Sequence, residues 1–214
     1  MAHDTDIASI RKDYIKADLT ENAVGTCPMQ FFSKWFDEAQ AAEVDEVNAM
    51  TLATSDKEGV PHARIVLLKA LEEEGFSFFT NYKSHKGQEL DENPRAALVF
   101  FWQALERQVR IEGTVERLSD TASDTYFYSR PEGSQLGAWA SPQSQEIIDR
   151  SILEDNYRKY QEQFSTHIPR PPHWGGFILK PNYIEFWQGR SNRMHDRIVF
   201  TLENNLWKRK RLAP

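Results

Sequence analysis

Arg193-Met194-His195-Asp196-Arg197-Ile198-Val199-Phe200-Thr201 follows the aromatic segment Tyr183-Ile184-Glu185-Phe186-Trp187-Gln188-Gly189 by only a few residues. Read as a β-strand, the first run sends successive side chains to opposite faces. Arg193, His195 and Arg197 then share one face, while Met194, Ile198 and Phe200 take the other and anchor it in a core. Two arginines flanking a histidine suit an anionic, planar ligand. An ordinary solvated strand face carries the same pattern, so both readings stand at this point.

Working outward, the chain offers roughly eight short β runs with helices inserted between groups. Residues 1–25 are polar without sustained periodicity and read as a mobile arm or lid ahead of a single domain over 26–214. Pro28 opens a helix whose Met29, Phe32, Trp35, Phe36 and Ala39 recur at helical spacing. Strands are predicted over 50–54, 62–69, 76–81, 96–102, 108–118, 176–180, 183–188, 193–201 and 206–212, and helices over 84–93, 119–128 and 145–164. Strands do not alternate one for one with long helices, and no Gly-rich dinucleotide or P-loop signature follows any of them. The pattern fits a mainly β fold with peripheral helices, built on a closed antiparallel barrel.

A 40% hydrophobic content with 12% aromatics supports a real core, so global disorder is not expected. No apolar run approaches a membrane span and the first residues lack a signal peptide's apolar stretch, so no membrane association is expected. Cys27 is the only cysteine, which fits a reducing compartment and a cytoplasmic protein. A net charge of -6 argues against a broad nucleic-acid-binding surface. The run Lys208-Arg209-Lys210-Arg211 reads as part of a final strand with solvated alternate residues, with a localisation signal or RNA contact as the rival reading. An acidic chain with scattered local cations beside aromatics looks like one that binds small anions.

Ser84-His85-Lys86 falls at a predicted helix N-terminus, where free N–H groups favour an anion, although an ordinary capped surface helix looks the same. Arg64 could add a bidentate partner. Arg64 and Lys69 differ by an odd number and lie about 16 Å apart on a regular strand at about 3.3 Å per residue. They should therefore serve two anion sites, or one site and one structural charge. Tyr126 and Arg130, four apart, could form a further phosphate cradle with Ser134. The six histidines have no paired ligand spacing and no nucleophile elbow is present, so neither a metal site nor a hydrolytic triad is expected.

Together, Arg64 to Lys69, Phe79 to Lys86, Arg107-Gln108-Val109, Tyr126 to Pro131, Gln143-Ser144, Glu185 to Gly189, Arg193 to Arg197 and Arg211 to Pro214 resemble the pyridoxamine 5′-phosphate oxidase family. The resemblance runs in order from about Arg11 to Pro214. It implies an FMN-binding split β-barrel, a homodimer with flavin at the subunit interface, and oxidation of pyridoxamine or pyridoxine 5′-phosphate to pyridoxal 5′-phosphate, with O2 reduced to H2O2. By the same resemblance, Arg64 and Lys86 bind the FMN phosphate within a cofactor set that includes Ile65, Val66, Leu67, Leu68, Lys69, Phe79, Thr80, His85, Gln143 and Ser144. Gln108, Trp187 and Arg197 contact the flavin. Lys69, Tyr126, Arg130 and Ser134 hold the substrate phosphate. Arg193 and His195 are the catalytic pair over the substrate ring beside Met194, and Arg11, Lys12, Asp13 and Tyr14 close as a lid. The family usually carries arginine where this chain has His85, which predicts weaker FMN retention as pH rises. The alternatives are a non-catalytic flavin- or pyridoxal-phosphate-binding protein on the same barrel, or another flavin-linked oxidoreductase of that superfamily. The Tyr126 to Ser134 cluster and the Arg193/His195 pair are the discriminating features.

Overall fold

A computed structural model describes residues 13–214, so Arg11 and Lys12 lie outside the described residues. The strands are β1 (Ala49–Ser55), β2 (Pro61–Leu67), β3 (Ala70–Glu72), β4 (Gly75–Asn81), β5 (Arg95–Trp102), β6 (Arg107–Arg117), β7 (Trp174–Gln188), β8 (Asp196–Glu203) and β9 (Leu206–Leu212). The helices are α1 (Glu21–Val24), α2 (Pro28–Ala41), α3 (His85–Glu92), α4 (Asp120–Ser129), α5 (Glu132–Ala140) and α6 (Ser151–Gln163). Strand order in the sheet is β2-β1-β5-β6-β7-β4-β3, with β8 on β7 and β9 on β8. The mainly β architecture with peripheral helices is as expected.

The chain divides into two compact units. The first comprises residues up to Val47, Phe100–Arg110 and Tyr183–Pro214; the second comprises Asn48–Val99 and Ile111–Asn182. In the first unit, α2 turns Phe31, Phe32 and Trp35 inward. Phe31 and Trp35 meet Phe186 at ring separations of 4.8 and 5.4 Å, and Phe32 meets Phe100 at 5.1 Å. In the second unit, β1 alternates buried Met50, Leu52 and Thr54 with half-buried neighbours. A separate cluster of Phe127, Leu136, Ile168 and Trp174 fastens α4 and α5 beside β7.

Several expectations change. The segments 176–180 and 183–188 form one strand, β7, whose first half pairs with β4 and whose second half pairs with β8. Pro181 falls between those two registers, where a missing N–H interrupts neither ladder. The predicted strand 193–201 begins only at Asp196, because Asn192 and Arg193 have φ of 55° and 60°. Met194 is therefore not a core anchor but 68% exposed, whereas Ile198 and Phe200 are fully buried. Helix α5 was not anticipated, since Gly133 and Gly137 dilute its pattern, yet it buries Leu136 and Ala140. Helix α6 starts at Ser151 rather than Gln145, at a turn where the Asp149 carboxylate accepts the Ser151 N–H at 2.7 Å. The described part of the polar arm is tied down. Leu19 and Val24 are buried, and the Glu106 carboxylate accepts the Ile15 and Lys16 N–H groups at 2.9 and 3.1 Å.

Candidate active site

A cavity of about 600 Å³ opens in the second unit. Such a volume suits a small-molecule ligand. Arg64, Ile65, Val66 and Leu67 of β2 line it together with Lys69, Phe79 and Thr80 of β4, Lys86 of α3, and Gln143. Tyr126 of α4, Arg130, Ser134 of α5 and Trp174 of β7 complete the wall. Arg64 and Lys69 thus line one cavity despite their opposite parity. Strand β2 ends at Leu67; the Leu68 N–H donates to Asn48 and the Lys69 N–H to Ser77, so the regular alternation stops there.

Lys86 is placed by the start of α3. Ser84 caps the helix, its hydroxyl accepting the Gly87 N–H at 3.3 Å. Among the described residues the Lys86 ammonium donates only to neutral acceptors: the Thr80 hydroxyl at 3.2 Å, Ser84 at 3.4 Å and the Gln143 side-chain oxygen at 3.4 Å. Burial, then the nearby Arg64 charge, lowers its pKa. Two cations in a partly buried wall destabilise each other until an anion joins them. Arg64 donates to the Thr54 hydroxyl at 2.5 Å and lies 3.4 Å from Glu89. Burial favours the neutral form of Glu89, but the Thr54 hydroxyl and the two adjacent imidazoles outweigh it and hold the carboxyl below its ordinary range.

Across the cavity wall, Phe79, Tyr126 and Trp174 lie in near-parallel planes, with centroids 4.0 Å apart for Phe79–Tyr126 and 5.6 Å for Phe79–Trp174. Gly176 makes room for this stack, since a Cβ there would fall 2.7 Å from the Phe79 ring. The Arg130 guanidinium lies 4.6 Å from the Trp174 ring centroid, which fixes its plane. Its Nη1 is buried without a hydrogen-bond partner, and burial lowers the pKa of the group. A buried, unpaired guanidinium N–H is a costly feature unless a ligand acceptor completes it. Leu68 is buried, and neither it nor Ser144 lines the cavity. His85 does not line it either; its Nε2 lies 3.5 Å from Glu89 instead.

The remaining candidates lie in the first unit, around the turn between β7 and β8. His195 Nδ1 accepts the Arg190 N–H at 3.1 Å, which leaves Nε2 to carry the proton of the neutral ring. Its ring sits 4.6 Å from Trp187 and 5.9 Å from Tyr14. Arg197 is held differently: Glu185, 2% exposed, accepts its Nε at 2.7 Å and Nη2 at 3.1 Å, and the Tyr183 hydroxyl at 2.7 Å. Burial opposes ionisation of Glu185, but the Arg197 and Tyr183 bonds prevail and lower its pKa. Arg193 and Met194 are exposed on the turn, Asp13 is exposed, and Gln108 is half-buried on β6. A cluster the sequence reading missed is His62, His85 and Glu89, whose ligand atoms lie within 4.8 Å of one another. The helical spacing of His85 and Glu89, one turn apart, was its legible signal.

Comparison with known proteins bears on this arrangement. Residues 36–164 match the family model described as pyridoxamine 5′-phosphate oxidase, and 174–214 match the pyridoxine 5′-phosphate oxidase C-terminal dimerisation region. The chain belongs to the pyridoxamine 5′-phosphate oxidase family. Pyridoxine/pyridoxamine 5′-phosphate oxidase 1 of Ralstonia nicotianae is 57% identical over 211 residues, covering 98% of this chain and all of that protein. The Cyanothece oxidase of the same name is 55% identical, over 97% of this chain and 98% of its own length. Among solved structures, PhzG from Burkholderia lata, in complex with tetrahydrophenazine-1-carboxylic acid, superposes with a TM-score of 0.88 at 28% identity, covering 94% of this chain and 99% of that one. An FMN-binding protein of Nostoc punctiforme, related to the family, reaches a TM-score of 0.70 at 16% identity over 89% of this chain and all of that one, which supports the split-barrel fold.

Proposed function

We propose that this protein is an FMN-dependent oxidase that converts pyridoxamine and pyridoxine 5′-phosphates to pyridoxal 5′-phosphate, reducing O2 to H2O2. The observation that carries the reading is the unpaired Arg130 Nη1 in a cavity that also presents Lys86 and Arg64 to an anion. Two cationic groups on one wall suit two phosphates, one on the cofactor and one on the substrate.

The residues fit FMN. Arg64 and Lys86, with Thr80 and Gln143, would hold its phosphate, and the segment from Arg64 to Lys69 with Phe79 would line its bed. Gln108, Trp187 and Arg197 are assigned to the flavin ring by family resemblance. When bound, FMN would supply the two-electron redox chemistry between the substrate C4′ position and O2. Lys69, Tyr126, Arg130 and Ser134 would orient the substrate phosphate. Arg193, effectively always charged, positions the substrate ring and stabilises charge on it. His195 acts mainly as an orienting donor, because its Nδ1 lone pair is already engaged by the Arg190 N–H and Nε2 carries the proton. Asp13 and Tyr14, with Arg11 and Lys12, would cover the substrate. A homodimer with flavin at the subunit interface agrees with the match of 174–214 to a dimerisation region, and a cytoplasmic setting fits the lone cysteine.

The test supplies FMN and pyridoxine 5′-phosphate to the purified protein and follows pyridoxal-phosphate absorbance together with peroxide. Equimolar formation of both is expected. Flavin binding without either product would move the reading to a non-catalytic flavin-binding module.

A further inference from the structure

His85 and Glu89 stand one turn apart on α3, neither lining the cavity, and β2 brings His62 against them. The Glu89 side chain is 3% exposed, and its two oxygens are used very differently. Oε2 accepts the Thr54 hydroxyl and lies 3.4 Å from Arg64 Nη2. Oε1 faces the imidazoles, 2.5 Å from His62 Nδ1 and 3.5 Å from His85 Nε2. The short approach makes His62 Nδ1 the nearest partner of Glu89 Oε1, and it helps hold the carboxyl below its ordinary range. Three potential electron-pair donors therefore converge within 4.8 Å, one of them a buried carboxylate oxygen. The His62 and His85 rings meet edge to face at 4.5 Å, and their side chains are 34% and 55% exposed, which leaves a path from solvent.

We propose that His62 Nδ1, His85 Nε2 and Glu89 Oε1 form a binding site for a divalent transition-metal ion of the zinc type. Two neutral imidazole nitrogens and one carboxylate oxygen are an ordinary donor set for Zn2+, leaving a fourth position to water. Mg2+ and Ca2+ take six or more oxygen ligands and are poorly served by two nitrogens. Bonds of about 2.0–2.1 Å in a tetrahedral site hold neighbouring ligand atoms about 3.3 Å apart, so the His62 ring must move outward from its 2.5 Å approach to the carboxylate to admit the ion. The buried Thr54 hydroxyl and Arg64 hold Glu89 from behind, as outer partners orient a metal-binding carboxylate. The ion would sit one carboxylate away from Arg64, and its ligand His85 is also a residue that the family resemblance gives to the cofactor set.

The test is zinc titration of untagged, FMN-loaded protein against a chromogenic chelator. One Zn2+ per chain is expected, with affinity at least tenfold weaker in His85→Ala and in His62→Ala and unchanged in His173→Ala. His85 is exposed, so its variant should fold even where a Glu89 substitution does not. Anomalous diffraction at the zinc edge should place the ion among these three side chains. Failure of the wild type to compete with the chelator, equal affinity in wild type and both histidine variants, or an ion located elsewhere would overturn the proposal.

Discussion

Lys86 and Arg130 of the cavity are held differently from the paired arginines beside the β7–β8 turn. Around the β7–β8 turn, arginines are paired: Arg197 with buried Glu185, and Arg211 with Glu21 and Asp196. In the cavity, Lys86 donates to neutral oxygens and Arg130 leans on Trp174, neither with a carboxylate partner among the described residues, whereas Arg64 shares Glu89. Pairing satisfies a charge internally and spends it on shape. A cation left without a counter-charge in a partly buried wall adds nothing to folding and is available to a ligand. The difference separates framework from binding surface within one set of residue types.

The largest expected effect comes from the unpaired group. Arg130→Ala should lower kcat/KM for pyridoxine 5′-phosphate about a hundredfold, chiefly through KM, because charge-assisted hydrogen bonds contribute about 1.5–3 kcal/mol each. Its melting temperature should stay at or above that of the wild type, since a buried unsatisfied donor is removed. A large fall in stability would place Arg130 with the framework instead.

Arg197→Ala should behave in the other way. Removing it leaves buried Glu185 with Tyr183 and Arg110 as partners, so stability should fall by less than the roughly 3–5 kcal/mol of a fully broken buried pair, read as a lower denaturation midpoint. Turnover should also fall at least tenfold, as it should in Arg193→Ala, which leaves stability within about 0.5 kcal/mol because the residue is exposed. Normal kinetics in both variants would remove the roles assigned to that turn.

The smallest effect concerns the exposed tie to the tail. Hydrogen bonding to Arg211 lowers the Glu21 pKa from 4.5 to about 2. Its contribution is therefore complete above pH 4.5 and lost as pH falls toward 2. Acid titration of Glu21→Gln beside the wild type should show two stability curves that converge in that window. A gap that persists at the acid end would mean the ion pair is not its source.

Much of this arrangement was legible because it rests on local rules. Pro28 opens α2, Ser84 caps α3, and the final strand runs over Leu206–Leu212 as read. Its hairpin turn uses Asn204 and Asn205, both left-handed, as two-residue connections require. What sequence periodicity could not supply were departures from regular backbone. The left-handed Asn192 and Arg193 took Arg193 and Met194 off the strand and removed the shared face on which the first reading of that segment rested. The end of β2 at Leu67 similarly brought Arg64 and Lys69 to one cavity. The His62–Glu89 contact joins residues far apart in sequence, and only its helical half was visible beforehand. Family resemblance named residues for both anion sites, whereas the absence of a counter-charge at Arg130 is a property of the folded chain alone.

The proposed oxidase function assigns two separate phosphates to two separate cationic groups of the cavity. Measuring the FMN Kd and the pyridoxine 5′-phosphate KM in Lys86→Met and Arg130→Ala tests it directly. Lys86→Met should weaken FMN at least tenfold, with KM at saturating FMN within about twofold of wild type. Arg130→Ala should raise KM at least tenfold while FMN affinity stays within about twofold. Parallel losses of both quantities in both variants would contradict the account.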